Sequence, residues 1–182
     1  MKALLVVDVQ NDFCPGGALA VPEGDKVVPV LNRLMPFFPL VVASKDWHPK
    51  ETVHFRKWPP HCVQNTSGAE FHPGLDASKI QQVFLKGTHD RDDGYSAFEA
   101  TSGDLSGFLR ERGVDSLYVA GLATDYCVKA SALDAVKNGF KPYVVRDAVA
   151  AVNVKPEDGS KALEEMKKAG VGLVSSSEIL EK

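Results

Sequence analysis

Residues 117–139 read Leu-Tyr-Val-Ala-Gly-Leu-Ala-Thr-Asp-Tyr-Cys-Val-Lys-Ala-Ser-Ala-Leu-Asp-Ala-Val-Lys-Asn-Gly. The stretch changes period half-way. Positions 117–120 form an apolar run, the pattern of a strand buried on both faces. Over 125–138 the apolar residues Val128, Ala132, Leu133 and Val136 recur at helical spacing, and Gly139 offers a stop. A strand that turns directly into a helix is the repeating unit of an α/β fold.

Working outward, the same alternation covers the chain. Further apolar runs lie at 3–9, 40–44, 82–85, 142–145 and 171–174. Between them, Asp25 is placed to cap a helix with Val27, Val28, Leu31, Leu34 and Met35 on its apolar face and Pro29 in its first turn. Asp104 is placed to cap a helix through Leu105, Phe108 and Leu109 that ends at Gly113. Pro156 opens one that holds Leu163 and Met166, and Gly170 closes it. No repeat, low-complexity tract or Ser/Gly linker interrupts the series. The expectation is one domain over 1–182, a Rossmann-like three-layer αβα sandwich around a mostly parallel sheet of about six strands, with right-handed crossovers.

Composition narrows the function. The 182 residues are 44% hydrophobic and 25% charged, which is ordinary for a globular chain, and the net charge is −3. A nearly neutral chain without a basic block does not suit nucleic acid. No apolar run has the roughly 18–20 residues of a membrane span. The first residues read as a strand rather than a signal peptide, because the apolar run is short and ends in Asp8. Three cysteines, Cys14, Cys62 and Cys127, are few and odd in number. That argues against a disulfide framework and for a reducing, cytoplasmic setting in which one thiol is free for chemistry.

In a parallel α/β sheet the site lies beyond the carboxyl ends of the strands. Asp8, Asp46, Lys86 and the turn 121–127 all fall there. Any one of them alone is more easily an exposed strand end; four together are not. Cys127, at the start of a helix, is the candidate nucleophile, since a helix N-terminus lowers a thiol pKa and offers N–H groups to an oxyanion. Its rival reading is a buried structural cysteine. The N–H groups of Ala123 and Cys127 are the candidate oxyanion donors. Lys86 can hold a thiolate, and Asp8 can serve as general base and then general acid.

A second group has metal character. Asp46 and His48 are two residues apart and so share one side of an extended segment. His54 follows, and His61 lies in Trp-Pro-Pro-His-Cys at 58–62. One carboxylate and two or three imidazoles suit Zn²⁺, Fe²⁺ or Mn²⁺. Cys62 ranks lower as a ligand because it neighbours His61 and faces the other way. His72 and His89 are set aside.

These motifs together resemble the isochorismatase-like cysteine hydrolases: Val-Asp-Val-Gln-Asn-Asp-Phe at 7–13, Leu-Lys-Gly at 85–87 and Gly-Leu-Ala-Thr-Asp-Tyr-Cys-Val at 121–128. Within that family, Asp-Trp-His-Pro at 46–49 and the segment 58–71 resemble the nicotinamidase, or pyrazinamidase, branch. The resemblance runs from residue 1 to about 150. It implies a triad of Asp8, Lys86 and Cys127, and metal ligands Asp46, His48 and His61. His54 joins them directly or through water. It also implies a cis peptide before Ala123, and a flat aromatic pocket lined by Phe13, Trp58 and Tyr95. The implied reaction converts nicotinamide to nicotinate and ammonia, and pyrazinamide to pyrazinoate, through a thioester, in NAD salvage. The implied cofactor is one divalent ion, Zn²⁺ ahead of Fe²⁺ or Mn²⁺, and the implied assembly is a monomer or homodimer. The polar stretch 87–94 reads as a mobile loop beside the pocket.

Two rivals remain at this stage. One is a related amidohydrolase for another amide or ureido group, such as an N-carbamoyl compound. The other is a non-catalytic metal-binding or interaction protein on the same fold. The metal-type segment speaks against the first, and the trio Asp8, Lys86 and Cys127 against the second.

Overall fold

The computed structural model describes residues 1–181. Among them six strands form one all-parallel sheet: β1 (Lys2–Val7), β2 (Val41–Asp46), β3 (Gln82–Lys86), β4 (Ser116–Leu122), β5 (Lys141–Ala150) and β6 (Gly172–Val174). Their spatial order is β3-β2-β1-β4-β5-β6. The central strand β1 shows why the runs are apolar throughout. Leu4 and Val6 enter one core, while Ala3, Leu5 and Val7 enter the other. Helices α1 (Val27–Leu34) and α5 (Ser176–Leu180) cover the first face; α2 (Leu105–Glu111), α3 (Lys129–Lys137) and α4 (Asp158–Lys168) cover the second. The three-layer αβα expectation holds, with the sheet wholly parallel.

Several local details differ from the sequence reading. Strand β1 stops at Val7, two residues early, because Asp8 turns into the left-handed region at φ 50°. Strand β5 runs on to Ala150 although Arg146 and Asp147 break its apolar pattern. A register shift between Val119 and Gly121 of β4 lets pairing resume at Val149. Asp25 does not cap α1 with its side chain; it sits in a 3₁₀ turn, Gly24–Lys26, that leads into the helix. Asp104 occupies the position before α2 but makes no side-chain capping bond. The helix expected over 125–138 begins as a π-helical turn, Thr124–Val128, before α3. Helix α5 was missing from the sequence reading, although Ser175 and Glu178 form a capping box that marks its start.

The chain reverses its winding between β1 and β4, and a crevice opens at such a switch point beyond the carboxyl ends. Gly121 lets the two strands meet there. Its φ is +119°, and a Cβ added to it would lie 2.2 Å from the Val7 carbonyl oxygen. Backbone cannot move aside as a flexible side chain can. Gly121→Ala is therefore expected to destabilise the fold by at least about 2 kcal/mol in urea denaturation. Gly113→Ala, where nothing lies within 4 Å, is expected to cost only the strain of its positive φ.

Candidate active site

Four strand ends converge on one ammonium group. Lys86 closes β3 and is fully buried. Its Nζ lies 2.5 Å from Asp46 Oδ1 at the end of β2 and 2.7 Å from Asp8 Oδ2 beyond β1. It also donates to the Gly94 carbonyl at 2.6 Å and to Cys127 Sγ at 3.4 Å, in the turn beyond β4. A lysine ammonium has three protons. Here they are directed to Asp46, Gly94 and Cys127. Asp8 Oδ2 thus gains the charge without a hydrogen bond, and it is one of two buried side-chain oxygens among the described residues that have no hydrogen-bond partner. The other Asp8 oxygen accepts from Ser44 Oγ at 2.7 Å.

This arrangement sorts the titratable groups. Burial raises the Asp8 carboxyl pKa, and Lys86 only partly opposes it. Burial acts on Asp46 in the same direction, but Lys86 and the imidazoles of His48 and His61 outweigh it and hold that carboxyl well below the usual range. Lys86 is pulled down by burial and pulled up further by the two carboxylates, so it stays an ammonium ion. For Cys127 the expectation of a lowered thiol pKa is overturned. Burial, reinforced by Asp8 and Asp46, pushes the thiol well above its ordinary value, and Lys86 does not compensate. The resting group is a thiol beside a carboxylate oxygen that can receive its proton. Cys127 lies within the π-helical turn, and the Leu122–Ala123 peptide just before that turn is cis.

The second group lies on the other side of Asp46. His48 follows β2, His54 sits on a 3₁₀ turn, Val53–Arg56, and His61 follows that turn. One nitrogen from each of the three imidazoles lies within 4.8 Å of the others, and all three side chains are buried. Their outward nitrogens are already engaged. Nδ1 of His48 donates to the Gly87 carbonyl at 2.9 Å, and Nδ1 of His61 to the Pro59 carbonyl at 2.7 Å. Nδ1 of His54 meets Asp92 Oδ1 at 3.0 Å. A carbonyl only accepts, so on His48 and His61 Nδ1 carries the donated proton and Nε2 is the nitrogen that faces inward. Asp46 Oδ2 joins them, 3.3 Å from His48 Nε2 and 3.7 Å from His61 Nε2. Three clustered imidazoles and a carboxylate held ionised fit a divalent cation, which would take the place of any Nε2 proton. Cys62 lies instead in the core, its amide donating to Asp12 Oδ2 at 2.8 Å. His72 and His89 lie outside the cluster.

Residues 2–178 match the isochorismatase domain family. The chain belongs to the isochorismatase family. Among relatives, the nicotinamidase of Escherichia coli (strain K12) is 44% identical, over 94% of this chain and 93% of that protein. The pyrazinamidase of Pyrococcus horikoshii, solved in complex with zinc, is 48% identical, with a TM-score of 0.86 and coverage of 96% of this chain and 98% of that one. PnC1 from L. infantum, solved in complex with nicotinate, is 39% identical, with a TM-score of 0.90 and coverage of 97% and 93%.

In this isochorismatase-family chain a largely apolar cleft joins the two groups. Asp46, His54, His61, Ala123 and Cys127 reach it, and Phe13, Trp58 and Tyr95 line it. Leu19, Val21, Tyr126 and Val152 also line it and were not singled out from sequence. The supports behind the site were missed too. Gln10 donates to the carbonyls of Asp46 and Ala69 at 2.8 Å each and accepts from the Asp46 amide at 2.9 Å, which clamps the end of β2. A usable signal existed, since Asp8, Gln10 and Asp12 alternate, as do Ser44, Asp46 and His48. Gly87 has φ +63°, and a Cβ there would lie 2.5 Å from His48 Cε1. The stretch 87–94 does border the cleft, and it is tied down by Gly94, Asp90 and Asp92. No described helix is long and apolar enough to cross a membrane.

Of the three buried cysteines, Cys127 is the one that reaches the cleft. Iodoacetamide is expected to label Cys127 well ahead of Cys14 and Cys62, by peptide mass spectrometry. Because its pKa is raised, the labelling rate should keep climbing as pH rises through and beyond 9. A plateau reached below pH 8 would contradict this.

Proposed function

We propose that this chain hydrolyses nicotinamide to nicotinate and ammonia, with pyrazinamide as a second substrate, through a thioester on Cys127. One observation carries the reading. The Cys127 thiol, held by Lys86 and close to the hydrogen-bond-free oxygen of Asp8, opens onto the same cleft as Asp46 and the imidazoles of His54 and His61. The similarity to the E. coli nicotinamidase and the P. horikoshii pyrazinamidase, and to L. infantum PnC1 with its bound nicotinate, supports it.

The chemistry follows from the residues. Phe13, Trp58 and Tyr95 wall in a flat ring, with the carboxamide toward Cys127. Asp8 takes the thiol proton as Sγ attacks the carbonyl carbon. The oxyanion accepts hydrogen bonds from the N–H groups of Ala123 and Cys127. Asp8 then delivers its proton to the amide nitrogen, the C–N bond breaks and ammonia leaves. An amine is a poor leaving group, so a carboxyl with a raised pKa is well placed at this step. Water attacks the thioester as Asp8 takes its proton; the C–S bond breaks and the proton returns to sulfur. Lys86 offsets the thiolate charge whenever it appears. Asp46, His48, His54 and His61 would hold a divalent ion, Zn²⁺ ahead of Fe²⁺ or Mn²⁺, which when bound supplies an electrophilic anchor for the ring nitrogen.

The test is ammonia release from nicotinamide by zinc-loaded protein. Wild type is expected to release it, and Cys127→Ala to lose at least about 10³-fold in rate with its circular dichroism unchanged. Activity retained in Cys127→Ala would overturn the nucleophile, and no release by wild type would move the substrate to another amide. His48→Ala is expected to lose bound metal by elemental analysis, and an unchanged stoichiometry would refute the metal centre.

A further inference from the structure

The loop between Lys86 and Tyr95 holds an aspartate that the reaction does not use. Asp92 Oδ1 faces inward to His54 Nδ1 at 3.0 Å and also accepts from the Tyr95 hydroxyl at 3.4 Å. Asp92 Oδ2 takes Lys57 Nζ at 2.6 Å. Trp58 Nε1 in turn donates to the Tyr95 hydroxyl at 3.2 Å. Nearby, Asp90 Oδ1 accepts the Val53 amide at 2.7 Å and pins the start of the turn that carries His54. One carboxylate therefore touches both the His54 imidazole and the aromatic wall.

The contacts of Asp92 with Lys57 and with His54 differ in worth. The Lys57 side chain is 64% exposed, so that ion pair is screened and contributes little. His54 is 4% exposed, and its ring has Asp92 as its Nδ1 partner. His48 and His61 lean on backbone carbonyls, of Gly87 and Pro59, whereas His54 leans on a side chain. His54 is thus the imidazole whose Nδ1 partner a single side-chain substitution removes.

We propose that Asp92 is the positioning residue that aims the His54 Nε2 lone pair at the metal centre and ties that ligand to the Tyr95–Trp58 wall. The inference rests on reading Asp46, His48, His54 and His61 as a metal centre. It makes the loop 87–94 a part of metal retention as well as of the cleft.

The test measures affinity for Zn²⁺ alone, by competition with a chromophoric chelator, so it does not depend on turnover. Asp92→Ala is expected to weaken binding about 10–100-fold with little change in melting temperature. Asp92→Asn keeps an acceptor oxygen for Nδ1–H and should recover most of the loss. Lys57→Ala should leave the affinity unchanged. In a His54→Ala background Asp92→Ala should add nothing, because the ring it aims is gone. Independent, additive losses would overturn the proposal, as would unchanged affinity in Asp92→Ala while His48→Ala loses the metal. Full affinity retained in His48→Ala as well would overturn the metal-centre reading and this inference with it.

Discussion

The Lys86 ammonium is the constraint around which the rest is arranged. It is fully buried, and so are the two carboxylates it pairs with. Ligand atoms of Asp8, Asp46 and Cys127 all lie within 4.8 Å of one another. Without a cation between them, two carboxylates that close could not both remain ionised. With it, they diverge. Asp46 gains the imidazoles of His48 and His61 as further partners and is locked as an anion. Asp8 has only Ser44 and unaligned charge, and it keeps a raised proton affinity. One cation thus turns two chemically identical side chains into a fixed anion and a carboxyl of raised proton affinity. Removing one member of such a buried set typically costs about 3–5 kcal/mol, because it strands the others.

The backbone serves this arrangement in small, specific ways. Asp8 leaves β1 through the left-handed region, which ends the strand where its side chain must turn toward Lys86. Gln10 grips Asp46 by its N–H and its C=O, so that carboxylate rides on a clamped strand end. Gly87 lacks the Cβ that would displace the His48 ring, and its carbonyl sets that ring's tautomer. Gln10 and Gly87 thus fix the Asp46 backbone and the His48 ring at the carboxyl end of the sheet, beside a cleft whose walls are largely apolar.

Most of this was legible in the sequence, and the exceptions have reasons. The parallel sheet is written in runs that are apolar at every position, since both faces are covered. Asp8, Asp46, Lys86 and Cys127 could be grouped because each follows such a run. His48, His54 and His61 stood out by crowding beside Asp46. What could not be read was what burial does. The turn before α3 suggests a lowered thiol pKa, yet desolvation of Cys127 reverses the sign. Strand β5 outlasts its apolar run because pairing with a shifted β4 register, rather than side-chain pattern, sets its length. Gln10 offered only its alternation with Asp8 and Asp12, and Asp92 gave no chemical signal of its own, since their importance lies in which distant groups they touch.

The residues gathered at Lys86 come from four strands, and their separation along the chain is large. Asp46 is 40 residues from Lys86, and Cys127 is 41 residues beyond it. Each contact closes a long loop and recovers its entropy cost only once the intervening helices have packed. A topology of this contact order folds slowly, and its non-local contacts form late. No fragment ending short of Cys127 can contain the constellation, and no sheet lacking β4 can display it. The reactive centre is therefore silent until the whole central sheet exists, so the nascent chain carries an unactivated thiol throughout its most exposed stage.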